Sequence, residues 1–371
     1  MKVLQISFSK SYGGMERYMV EVSKGLIKNG VEVKAICRKD TMLENALFDE
    51  NIPYFSLNPI NYIDVRTVMK LKEIYQNINP DIIHSHTSCD LGLIIPASWL
   101  CGEKPYVVFT MHMDTHYSKH DLYHELLFRK LKKIFAITDR VKKEVMDSWP
   151  VSSGIVKTLY NGCDVDEFNK RAGKGGLLRK RFDIPLDYKI VGIVGRLEKP
   201  KGQDTFIEAC AYVKREIDKV KFVVIGGDDR KGEPFLNYLK DRVKELQMSD
   251  DVYFTGRVAN VAGFLKDLDI FVMLSHCEAF GLVILEAFSL KKPVIATSTG
   301  GVQEIVSDSV DGLLVPPNEP FLTKDAIIRL LNDETLRNKL SENGYHKVKT
   351  HFEMKDKIYE VMNEYNLILQ E

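Results

Sequence analysis

Short apolar runs alternate with stretches of helical period along this chain. Val3 to Phe8 is the first run and predicts a buried strand. From Met15 to Lys28 the apolar residues fall at 15, 18, 19, 22, 26 and 27, the spacing of one helix face. Asn29-Gly30 closes that helix, and Val31 to Cys37 predicts a second strand. Asp81 to His86, Tyr106 to Met111 and Ile134 to Thr138 predict further strands, the last leading into a helix near Asp139. Thr158 to Tyr160 then runs into the turn signal Asn161-Gly162.

The pattern restarts past residue 188. Lys189 to Val194 predicts a strand, Asp204 to Glu216 a helix and Lys221 to Ile225 a strand ending at Gly226-Gly227. Val252 to Phe254, Leu268 to Leu274 and Pro293 to Ala296 add strands, and Leu282 to Leu290 reads as a helix body. Between the halves, residues 170–181 hold six basic residues, three glycines and no acid, the composition of an exposed connection. Alternating strands and helices in two blocks predict an α/β protein of two doubly wound, Rossmann-like domains. Their bounds are 1–169 and 188–352, with 170–187 as linker and a central cleft at the strand ends. Glu353 to Leu369 is a last amphipathic helix, apolar at 354, 358, 361, 362, 365 and 369.

Composition narrows the class. A chain of 371 residues suits two cores. Lys+Arg and Asp+Glu are both 52, so no net charge argues for nucleic acid. The six cysteines contain no C-x-x-C, which fits reduced thiols in a cytoplasmic protein rather than disulfides or zinc. Met-Lys-Val-Leu-Gln-Ile-Ser-Phe is too polar for a signal peptide, and no apolar run reaches membrane-spanning length.

The chemistry concentrates in Ser275 to Glu286. Glu278 and Glu286 flank seven residues, with Phe280-Gly281 at the expected helix start. The amides of Phe280, Gly281 and Leu282 would face an anion there, between two carboxylates able to hold hydroxyls. A helix-start acid and a solvated helix residue explain the two glutamates equally well from these residues alone. Arg196 and Lys201, on the loop after Lys189–Val194, are two cations suited to a diphosphate leaving group; plain surface charge is the competing reading. The loop at Gly13-Gly14 lacks G-x-G-x-x-G, so no dinucleotide fingerprint is present.

Taken together the loops resemble a known family. Gly13-Gly14-Met15-Glu16-Arg17, Asp81 to His86, Thr110-Met111-His112, Asn161 to Asp164, Gly195-Arg196 with Lys201-Gly202, Phe254 to Gly256, Glu278 to Glu286, Gly300 to Glu304 and Asp311 to Val315 occur in the family's order and spacing. The chain resembles the retaining nucleotide-sugar glycosyltransferases of GT-B fold that carry the glycogen-synthase-like motif of Glu, seven residues, Glu (group 1 glycosyltransferases). The resemblance implies a nucleotide-diphosphate sugar, UDP-sugar favoured, as donor substrate. It implies a glycan or lipid-linked hydroxyl acceptor in glycan, lipopolysaccharide or glycolipid assembly. No cofactor and no metal are required, because cations and a helix end take the metal's place. Arg196, Lys201, Glu278 and His112 are then the catalytic set, with His112 against the donor sugar near its C6 hydroxyl. Glu286 holds the ribose, and Phe280, Gly281 and Leu282 orient the sugar. Val258 lies in a backbone stretch for the base, and Gly13 and Gly14 approach the phosphates. The final helix 353–371 is implied to cross back to the N-terminal domain. Leu274 and Ala279, with Gly226-Gly227-Asp228-Asp229, depart from the family pattern.

Competing readings are weaker. His112, His116, His120 and His124 recur every four residues, but no carboxylate or cysteine completes a zinc set in register. Asp164-Val165-Asp166 reads as helix-start acids rather than a metal motif. Residues 128–135 mix basic and apolar side chains; a solvated helix face is preferred over peripheral contact at an inner membrane face. A GT-B epimerase or phosphorylase, and a non-catalytic nucleotide-sugar binder, are the alternative functions.

Overall fold

The computed structural model describes residues 1–102, 104–115 and 117–370. It forms two compact units, Met1–Asn161 with Lys355–Glu371, and Gly162–Met354.

In the first unit the apolar runs become strands β1 (Lys2–Ser7), β2 (Glu32–Arg38), β3 (Tyr54–Leu57), β4 (Ile82–Ser85), β5 (Tyr106–Met111), β6 (Leu131–Ala136) and β7 (Val156–Thr158). Their order is β3-β2-β1-β4-β5-β6-β7, and the ladders are parallel. Strands covered on both faces need unbroken apolar sequence, which is why Leu4, Ile6, Ile82, Ile83, Val107 and Val108 are buried. β6 begins three residues before its expected start, since Lys132 and Lys133 interrupt the apolar run, and Thr138 instead caps the helix Asp139–Ser148 by accepting from the Val141 amide. β3 and the helices Met42–Asp49 and Val65–Ile78 carry too short or too mixed a pattern to stand out in sequence.

The helix Met354–Gln370 belongs to this unit from Lys355 onward. It buries Ile358, Val361, Tyr365 and Ile368. A Cβ on Gly25 would sit 1.9 Å from Ile358 Cδ1, so the glycine is what lets this helix approach the helix Gly14–Lys28. Lys157 Nζ also meets Glu364 Oε1 at 2.6 Å.

The second unit holds β8 (Lys189–Val194), β9 (Val220–Ile225), β10 (Val252–Phe254), β11 (Ile270–Met273), β12 (Val294–Thr297) and β13 (Leu313–Val315) in the order β10-β9-β8-β11-β12-β13, again with parallel ladders. Val191, Phe222, Val224, Ile270, Val272 and Ile295 anchor its core against the helix Gln203–Lys214 and its neighbours.

The stretch 170–187, expected as a linker, is a built part of the second unit. It contains the end of the helix Val165–Ala172 and the helix Leu177–Phe182. The Asp267 carboxylate accepts from the amides of Gly176 and Leu178, and Leu178 is fully buried. Arg179 donates to the carbonyls of Pro185 and Tyr188, and Arg181 to that of Thr255. Two of the six basic side chains that suggested a solvated tether, Arg179 and Arg181, are spent on backbone carbonyls. The chain changes unit instead between Asn161 and Gly162 and between Met354 and Lys355. In the stretch 128–135, Phe128, Leu131, Ile134 and Phe135 are all buried, so it offers no apolar face to a membrane.

Candidate active site

In the second unit the strand order reverses between β8 and β11. In doubly wound sheets the ligand crevice lies outside the carboxyl ends of the strands at such a reversal. The loop after β8 carries Arg196 and Lys201; that after β11 carries Ser275 to Gly281. Lys201 Nζ lies 2.8 Å from Glu278 Oε2, and Ser275 Oγ donates to the same oxygen at 3.3 Å. The lysine and glutamate side chains are 28% and 19% exposed, open enough to meet a ligand. Arg196 is more exposed and reaches Glu198 Oε1 at 3.3 Å.

Backbone packing brings the two loops into contact. Gly202 has φ +69°, and a Cβ there would stand 2.1 Å from the Leu274 carbonyl oxygen. The His276 amide donates to the Pro200 carbonyl at 2.8 Å, and Gln203 Nε2 to that of Arg196 at 2.8 Å. Thr297 and Thr299 hydroxyls both donate to the Ser275 carbonyl, at 2.6 and 2.9 Å. The Gly301 amide donates to the Glu278 carbonyl at 2.9 Å, which ties the glutamate's backbone to the loop after β12.

Gly281, at φ +96°, starts the helix Leu282–Ser289. Its first-turn amides have no partner inside the helix and carry the positive end of the dipole. Phe280 is buried edge-on against Phe352, at 6.2 Å between centroids. Glu286 sits in the second helical turn, buried rather than solvated, which removes the bland reading of that residue.

Beside this crevice, the loop after β9 lies against that after β10. Gly226 is paired with Gly256, and a Cβ on Gly226 would fall 1.9 Å from the Gly195 carbonyl oxygen. Val258, half-buried, follows Arg257, whose guanidinium meets Asp229 at 2.6 Å. Asp228 is structural: it accepts from Arg230 and from the Phe235 and Leu236 amides at the start of the helix Pro234–Glu245. The Arg230 hydrogen bond holds its carboxyl well below the usual range.

In the first unit the strand order reverses between β1 and β4. Gly13 and Gly14 follow β1; the Gly13 amide donates to Glu16 Oε2 at 2.7 Å, a capping contact that occupies it, and Gly14 begins the helix. His112 follows β5 and is buried, with Nε2 3.1 Å from His86 Nδ1. Burial pushes its pKa down to about 3, so the ring is neutral near pH 7. Tyr18 packs edge-on against it at 5.1 Å.

The structure thus gathers Arg196, Lys201, Glu278, Phe280, Gly281, Leu282 and Glu286 at one sheet edge of the second unit, with Val258 on a neighbouring loop. Gly13, Gly14 and His112 lie at strand ends of the first. The histidine series does not converge: His112 meets His86, and His124 Nδ1 meets Asp121 at 2.5 Å; His116 lies outside the described residues. Among the described residues no cluster of three metal-ligating side chains occurs. Asp164 caps the helix Val165–Ala172, and Asp166 meets Lys349 at 3.2 Å. Gln5 and His84, which build the surroundings of His112, escaped the sequence reading. Each sits mid-strand among apolar residues, where a polar side chain was the available signal.

Comparison places this architecture among proteins of GT-B fold. The structure superposes on HepE of Anabaena, solved with UDP and glucose, with a TM-score of 0.86, 20% identity and 99% of each chain covered. Sequence models match in both halves: Glycosyl transferases group 1 over residues 177–347 and Glycosyltransferase Family 4 over residues 12–167. The chain belongs to the group 1 glycosyltransferases. It is 27% identical to an N-acetyl-alpha-D-glucosaminyl L-malate synthase of Bacillus anthracis, over 92% of this chain and 91% of that one. It is 24% identical to a UDP-Gal:alpha-D-GlcNAc-diphosphoundecaprenol alpha-1,3-galactosyltransferase of Escherichia coli, over 96% of each.

Proposed function

We propose that this chain is a retaining, metal-independent glycosyltransferase that moves a sugar from a UDP-sugar to a hydroxyl of a glycan or lipid-linked acceptor. The observation that carries this reading is the Lys201–Glu278 pair at 2.8 Å, beside the helix start at Gly281 and on the crevice of a doubly wound sheet. A diphosphate needs fixed positive charge where its leaving charge develops, and Lys201, Arg196 and the helix end supply it. Glu286 accepts from the ribose hydroxyls, Glu278 orients the sugar, and the backbone near Val258 meets the base. We assign His112 to a hydroxyl of the donor sugar and the Gly13-Gly14 loop to its phosphates. In the reaction, the bond from C1 to the leaving phosphate oxygen breaks, and the acceptor oxygen bonds C1 on the same face. The acceptor proton passes to a phosphate oxygen of the departing nucleotide.

The acceptor side is apolar. Ile60, Ile63, Val65 and Leu122 are 78%, 74%, 71% and 84% exposed. The two segments that carry them meet over the helix Leu91–Trp99, where a Cβ on Gly92 would lie 2.8 Å from both the Tyr62 carbonyl and the Tyr123 hydroxyl. That exposure, and the acceptor named for the Escherichia coli relative, support the reading of a lipid-linked acceptor and of peripheral contact between this surface and a membrane.

The test is thermal stabilisation by a panel of nucleotides and nucleotide sugars, then product analysis with lipid-linked and free glycan acceptors. Stabilisation by UDP-sugar, a product of unchanged anomeric configuration and activity in chelator are expected. An inverted product, or loss of activity on chelation, overturns the mechanism; absence of any nucleotide binding overturns the function. Flotation with anionic vesicles, lost in Ile63→Ser/Leu122→Ser, tests the membrane surface.

A further inference from the structure

The first unit buries a row of hydrogen-bonding side chains that leads to His112 and whose other members have no assigned part in the transfer. Gln5 lies on β1 and His84 on β4, paired in register, with His86 just past β4 and His112 just past β5. Gln5, His84 and His86 are at most 1% exposed. Gln5 Oε1 lies 2.7 Å from His86 Nε2, and His86 Nδ1 lies 3.1 Å from His112 Nε2. His84 continues the row on its other side, with Nδ1 2.5 Å from the Tyr365 hydroxyl and Nε2 2.6 Å from Thr110 Oγ1. The Gln5 amide group acts on the Tyr365 hydroxyl, opposing the rise that burial gives it, without closing a full hydrogen bond. His84 and His86 stack at 4.3 Å, and Tyr18 packs edge-on against both His86 and His112, so the rings have little room to turn.

These contacts have a direction. A carbonyl oxygen only accepts, so His86 Nε2 carries the proton it gives to Gln5. Burial drives the pKa of His86 well below its ordinary value, so the ring is neutral and its Nδ1 is a bare acceptor. His112 must then donate from Nε2, and a neutral ring has only that one proton. We infer that Gln5 and His86 are positioning residues that hold His112 as the Nε2–H tautomer, so that its Nδ1 lone pair accepts a hydrogen bond from a hydroxyl of the donor sugar. Among the described residues Nδ1 makes no hydrogen bond. His112 is thereby a hydroxyl acceptor and neither a donor nor a cation for phosphate. The inference rests on the proposed role of His112 toward the donor sugar. The direction turns on one group: with the Gln5 amide reversed, its NH2 would donate to His86, and Nδ1 of His112 would carry the proton.

The experiment is a long-range proton–nitrogen correlation spectrum of the full chain labelled in histidine nitrogen, with His112 assigned by its loss in His112→Asn. A neutral ring protonated at Nε2 at pH 7 is expected. A signal protonated at Nδ1, or a charged imidazolium, overturns the inference whatever the enzyme does. In His86→Leu the His112 signals should move toward a tautomer average. The kcat/KM for the nucleotide sugar should fall roughly tenfold, the worth of one well-placed hydrogen bond, while affinity for UDP alone stays unchanged. A shifted tautomer with unchanged kcat/KM overturns the part assigned to the sugar. If the wild-type chain binds no nucleotide sugar, the proposed function has failed, and the nitrogen spectrum still decides the tautomer.

Discussion

The ammonium of Lys201 lies 2.8 Å from Glu278 Oε2, although 77 positions of sequence separate them. Neither residue is near the other along the chain; β8 and β11 are neighbours in the sheet, and their following loops meet at its carboxyl edge. The pair holds a cation in place while leaving both side chains within reach of solvent.

Lys201→Ala should therefore cost turnover rather than stability. Removing a charge donor from a developing leaving group lowers transfer by roughly 10²–10³-fold. A partly exposed ion pair contributes under about 1 kcal/mol to folding, so the melting temperature stays close to wild type. Steady-state transfer assays beside a thermal melt check both. Transfer at near-normal rate would remove Lys201 from the site.

Gly202→Ala tests the contact between the two loops. With φ +69° and a Cβ 2.1 Å from the Leu274 carbonyl oxygen, the substitution carries both backbone strain and overlap with a main chain that cannot swing away. A loss of at least ~2 kcal/mol is expected by urea denaturation. Gly232→Ala is the control: φ is +79° there but nothing lies within 4 Å, so only a strain of roughly 1 kcal/mol applies. Equal losses at both sites would show that the loop contact adds nothing.

Acid should unfold the first unit earlier than carboxylates alone explain. Burial pushes His84 and His112 down to about 3 and lowers His86 well below its ordinary value. The unfolded rings bind protons near pH 6.5, which the folded rings refuse. Protons thus favour the unfolded chain, and stability present above pH 6.5 is lost progressively toward pH 3. Buried Asp90, raised to about 7 by desolvation, acts in the opposite sense between about pH 4 and 7, one group against three. The net expectation is a denaturation midpoint that falls from pH 7 to pH 5, with a shallower slope in His84→Gln. A flat profile would contradict the neutral burial of these rings.

Asp267→Ala addresses the stretch 170–187. Its carboxylate receives the Gly176 and Leu178 amides and so anchors the start of the helix Leu177–Phe182. Loss of this cap, about 1 kcal/mol, should open the basic segment to limited trypsin cleavage that the wild type resists. Equal cleavage in both would mean the segment is loosely held from the start.

Strand positions were legible in the sequence because a strand buried on both faces must be apolar throughout, and β5 and β8 follow their runs residue for residue. The motif loops were legible through the resemblance their order and spacing carry, in which glycines, cations and carboxylates recur close together, as in Arg196 to Gly202 and Glu278 to Glu286. Three things were decided only by tertiary structure. The basic segment 170–187 reads as a tether until Asp267, some ninety positions away, is brought to its amides. The Lys201–Glu278 pair needs the sheet order, which no local pattern encodes. His112 is an ordinary strand-end histidine in sequence; burial keeps it neutral, and its contact with His86, itself held by Gln5, exists only in the assembled sheet. Local sequence determines which backbone forms and which chemical groups it can carry. Proximity between distant groups, and the low-polarity surroundings that set their protonation, exist only once the sheets have assembled.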